Sequence, residues 1–140
     1  MSGGVGRTVA AGAAYFALVF AIGFVFGTIR VLLMAPRLGE HAVSIELPIM
    51  LMLSWFSCLG LVDRFTVPPN ALARLSMGAV AFALLMFGEL AVSIFGFGRT
   101  LSQHAANYFR PLPALGLAAQ VLFAIFPFAQ WLLQPDRQKS

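Results

Sequence analysis

The chain has 140 residues, 60% of them hydrophobic and 10% charged, with a mean hydropathy of +0.89. Soluble domains carry about 25% charged residues, so the composition argues against a water-soluble fold and equally against a disordered segment. The net charge of +4 does not point to nucleic acid, because Arg7, Arg30, Arg37, Arg64, Arg74, Arg99, Arg110, Arg137 and Lys139 lie scattered between apolar blocks with no stripe or cluster.

Four apolar blocks follow one another, each near the ~20 residues that a helix needs to cross the hydrocarbon core. The first runs over 8–34 and should end at Pro36. It is too long for the short core of a cleaved leader, and no small-x-small site follows it, so it reads as a span. The second covers 43–62 and is closed by Asp63 and Arg64. Pro68, Pro69 and Asn70 then predict a turn leading into a helix cap, and the third block follows over 71–97. The stretch from Arg99 to Arg110 sets Leu101, Tyr108 and Phe109 among polar residues, which suits a short interfacial helix or a plain connecting loop. The fourth block covers 113–134; Pro127 inside it should kink the helix and free a backbone carbonyl. Continuous apolar runs without alternation exclude a strand barrel.

The expected fold is therefore all-α: a polytopic membrane protein, a bundle of four transmembrane helices in one domain over 1–140, with no internal repeat. Cys58 stands alone in an apolar run and reads as a small hydrophobe. Trp55 and Trp131 read as interface anchors. Arg7, Arg64, Arg74, Arg137 and Lys139 fall on one side of such a bundle, against Arg37, Arg99 and Arg110 on the other. That bias places both termini in the cytoplasm.

Arg30, Glu46 and Glu89 sit where lipid would penalise them. Counted along their helices, all three fall in the same leaflet, and a shared buried cluster is expected. Gly23, Gly27 and Arg30 share a helix face, and Gly23 with Gly27 forms a GxxxG pair suited to close helix approach. Two chemistries suit such a cluster. In the structural one, Arg30 bridges Glu46 while Glu89 stays protonated or bonds Ser93 or Gln120. In the functional one, two carboxylates compete for one arginine and one of them carries a proton or a cation. His41 and His104, in the flanking linkers, are supporting candidates, but neither His-x-x-x-His nor Glu-x-x-His occurs, so no metal is expected. Phosphate-loop, dinucleotide and nucleophile patterns are missing from the sequence, so neither an enzyme nor a cofactor is expected.

The segment from Phe16 to Met50, through Gly23-Phe24, Gly27, Arg30, Pro36-Arg37, Gly39-Glu40, Glu46 and Pro48, resembles an uncharacterised group of small four-span bacterial inner-membrane proteins. The resemblance implies that membrane and brings no reaction or ligand with it. The expected role is a structural, accessory or oligomerising component, alone with the lipid bilayer, as a homo-oligomer, or within a larger membrane complex. The alternative is a small proton- or cation-coupled carrier or channel working through Glu89 and Glu46.

Overall fold

The computed structural model describes residues 2–39, 41–96, 98–107, 109 and 111–133. Helix α1 (Ser2–Ile29) runs into a π-helical turn (Arg30–Met34) and a last short piece, α2 (Ala35–Leu38). Helix α3 spans His41–Arg64, and α4 (Ala71–Ala91) again ends in a π-helical turn (Val92–Gly96). A short helix α5 (Leu101–Asn107) leads to α6 (Pro111–Leu133). Four of these helices are long and apolar enough to cross a membrane, over Gly4–Ile29, Ile45–Arg64, Ala71–Gly96 and Ala114–Leu133.

Pro36 does not end the first helix as the sequence suggests. A proline ring collides with the carbonyl four residues back, and the π turn widens the helix at that point, so the chain stays helical to Leu38. Gly39, at φ +60°, then turns it out. The end of α3 is a Schellman motif: Val67 N–H donates to the Val62 carbonyl at 3.0 Å and Thr66 N–H to the Asp63 carbonyl at 3.2 Å. Thr66 occupies the left-handed position that glycine normally takes, at φ +47°. Val67, the residue that seals such a motif, is buried. The expected cap on α4 is present: Asn70 Oδ1 accepts from Ala73 N–H at 2.8 Å. Helix α5 resolves the choice between helix and loop, and a capping box starts it, with Thr100 and Gln103 each accepting the other's backbone N–H.

Helix α4 packs between α1 and α6, and α3 closes the ring between α6 and α1. Backbone approaches are closest at two glycines. A methyl on Gly78 would fall on the Ala124 carbonyl of α6, and one on Gly12 would stand 2.8 Å from the Met77 carbonyl of α4. These two glycines open the same short run, Gly-Ala-x-x-Phe-Ala-Leu, at 12–18 and 78–84. It is an internal likeness of α1 and α4, where the sequence reading found none. The expected GxxxG contact is weaker. A methyl on Gly23 would meet only the tip of Met50 at 3.4 Å, and one on Gly27 only the chain's own Arg30.

The centre of the ring is filled. Tyr15 of α1 stacks on Phe123 of α6 with ring centroids 4.1 Å apart. Ala11, Cys58, Met77, Ala81 and Leu85 pack around them. Pro127 supplies no N–H to the Phe123 carbonyl one turn earlier, which is the freed acceptor the sequence predicts. The Tyr15 hydroxyl takes it, at 2.8 Å and buried. One proline thus explains why a tyrosine can sit in an apolar centre with its hydroxyl satisfied.

Candidate functional site

Polar side chains gather at both ends of the bundle, and the two ends are built differently. One end carries the turn between α2 and α3 together with the start of α6; call it the turn end. The other carries the 65–70 linker, the start of α1 and the end of α6; call it the linker end.

At the turn end the three expected residues separate into two pairs. Arg30 Nη1 bridges Glu46 Oε2 at 2.6 Å. Glu89 is bonded instead by Gln120, whose Nε2 donates to Glu89 Oε1. Among the described residues Arg30 pairs with Glu46 and not with Glu89, so the expected Arg30–Glu46–Glu89 cluster is not seen. Packing explains the split. Gly88 faces α1, where a methyl would press on Phe16 and Phe20. Glu89, one residue on, is rotated by ~100° and so turned away from that contact, toward α6. Depth separates the pairs as well. Arg30 directly follows the apolar stretch Gly4–Ile29, and Glu46 is the second residue of Ile45–Arg64, so their bridge sits at the edge of the span. Glu89 lies seven residues inside the end of Ala71–Gly96, about 10 Å deep by helical rise.

The supporting candidates divide likewise. Gln120 is a direct partner. Ser93 is buried in the second π turn, and its Oγ has no hydrogen-bond partner among the described residues. His104 lies on α5, which packs against that turn. His41 opens α3, and its side chain lies outside the described residues. Among the described residues no three His, Cys, Asp or Glu side chains stand together as a metal group.

The linker end holds what sequence reasoning missed. Arg74, counted there as a loop charge, is the largest fully buried side chain of the bundle, 2% exposed. Its Nη1 donates to the Pro127 carbonyl at 3.2 Å and its Nε to the Pro68 carbonyl at 3.4 Å. Among the described residues no carboxylate lies within ion-pair reach of it. Beside it Gln130, 3% exposed, donates Nε2 to the Trp55 carbonyl at 2.9 Å and leaves Oε1 without a partner. Trp55 is not simply an interface anchor, since it meets Phe126 edge-to-face at 5.1 Å. The signal for Arg74 is periodic: Arg74, Met77, Gly78, Ala81 and Leu85 recur at three and four residues and form the buried face of α4.

No family model, curated protein or solved structure matches the chain. The reading of function therefore rests on the geometry above.

Proposed function

We propose that the protein is a non-catalytic membrane component of structural or accessory kind, acting as a homo-oligomer or within a larger membrane complex. We place it in a bacterial inner membrane with both termini in the cytoplasm. The observation that most favours this is the filled centre. Tyr15 and Ala81 are fully buried near the middle of the bundle, with Cys58 and Met77 packed toward the linker end, and the Tyr15–Phe123 stack lies between the two polar ends. A carrier needs water or an ion to pass that level, and a packed apolar layer denies both.

The carrier reading draws on one feature, the Glu89 carboxylate bonded to Gln120 within a span. A flux measurement separates the two. In reconstituted vesicles, proton and cation leak through the wild type should equal that through Glu89→Gln. A leak that Glu89→Gln abolishes would replace the accessory role with transport. Gentle extraction followed by native mass spectrometry should recover a homo-oligomer or a co-purifying membrane protein; a lone chain in every preparation would count against the role.

A further inference from the structure

The linker end contains a built polar site whose charges are incomplete. An open groove of ≈ 570 Å³ is lined there by Leu59, Val62, Asp63, Thr66, Arg74 and Gln130, among others. Two of these side chains, Arg74 and Gln130, are more than nine-tenths buried and carry unused hydrogen-bonding capacity. Arg74 spends Nε and Nη1 on carbonyls, and Nη2 has no partner within the described chain. Gln130 has its Oε1 unmatched. A buried guanidinium without a counter-ion is costly, so the site favours an anion. Asp63, exposed on the wall of the groove and beyond ion-pair distance of Arg74, adds a negative charge on the open side.

The groove lies where the span Ile45–Arg64 ends and the span Ala71–Gly96 begins, the level at which lipid headgroups meet the protein. Its walls change from polar Asp63 and Thr66 to apolar Leu59 and Val62, as an amphiphile would require. We propose that this groove holds the headgroup of a zwitterionic glycerophospholipid, with a phosphodiester oxygen on Arg74 and the ammonium group at Asp63. Phosphate oxygens match the guanidinium fork, and the net charge of the Arg74–Asp63 pair matches a zwitterion better than an anionic diol. The inference does not rest on the accessory role, because it is argued from the groove's own side chains alone.

The test uses the full chain, reconstituted in vesicles of equal phosphatidylethanolamine and phosphatidylglycerol and extracted mildly, with retained lipid read by native mass spectrometry. Wild type should retain phosphatidylethanolamine in preference. Arg74→Gln should retain about tenfold less of either lipid, the fold-change of losing one charge-assisted hydrogen bond. Asp63→Asn, a change at an exposed position, should keep lipid but lose the preference, and it reads out the site even where Arg74→Gln fails to fold. Equal retention in a folded Arg74→Gln, or an unchanged preference in Asp63→Asn, would overturn the proposal. Displacement of the lipid by millimolar phosphoethanolamine or inorganic phosphate would assign the groove to a soluble phosphate compound and overturn the lipid assignment.

Discussion

The two ends of the bundle use opposite means of holding helices together. At the linker end the helices are locked backbone to backbone, through Gly12 against Met77 and Gly78 against Ala124, and the connection is sealed by a Schellman motif and a capped helix start. Among the described residues the buried apolar side chains, from Ala11 to Phe123, lie in that half or at the middle. At the turn end α1 and α4 both loosen into π turns, and polar pairs stand where a core would be. Apolar packing gains little in lipid, so close approach of small residues and hydrogen bonds decide which end is tight. The tight end can bury a whole arginine because main-chain carbonyls are within its reach. The loose end keeps its ion pair near the edge of the span and bonds the deeper Glu89 to Gln120.

Substitutions that exploit this contrast should differ widely in effect. Gly78→Val drives a side chain into the backbone of α6, a collision no rotamer relieves, and should cost more than about 3 kcal/mol. The yield of monodisperse protein and its thermal midpoint in detergent would register that loss. Gly27→Val, at the open end, should leave both almost unchanged, and equal damage at the two glycines would remove the contrast altogether. Tyr15→Phe should cost about 1 kcal/mol by orphaning the Phe123 carbonyl. In a Pro127→Ala background, where a backbone N–H returns to that carbonyl, the cost should fall close to zero. Unfolding midpoints of the four proteins in that cycle would show whether the two positions are coupled.

Arg30→Ala and Glu46→Ala should each cost about 0.5–1 kcal/mol, because the arginine of this pair is 31% exposed. The double variant should cost less than the sum, which the same midpoints can test. An effect of similar size has the opposite sign. Thr66→Gly should stabilise by about 0.5–1 kcal/mol, since a β-branched residue at φ +47° gives way to one that adopts that backbone freely. An unchanged or lowered midpoint would mean that the threonine serves the linker in another way.

The four spans with their limits to within about five residues, the Asn70 cap and the carbonyl freed by Pro127 were legible in the sequence, because each follows from local chemistry. The bridge of Arg30 to Glu46 and the bond of Gln120 to Glu89 were legible as pairs, since the depth of a residue in a span can be counted. Their separation was not. Counting gives height but not azimuth, and azimuth was set by Gly88 facing α1. Arg74 was misread for a related reason. Just after a cap, an arginine looks like a boundary charge, and only its place on the Met77–Gly78–Ala81 face marks it as buried. The continuation past Pro36 was hidden too, because a π turn has no strong composition of its own.

The sealed core is the claim on which the account turns, and Cys58, fully buried where the packed layer meets the linker-end groove and the chain's sole cysteine, reports on it. A charged, membrane-impermeant thiol reagent applied to both faces of native membranes should leave Cys58 unmodified while labelling an Asp63→Cys control carrying Cys58→Ala. Labelling of Cys58 at a rate close to that control would mean that water passes from the groove into the packed layer, contradicting the sealed core.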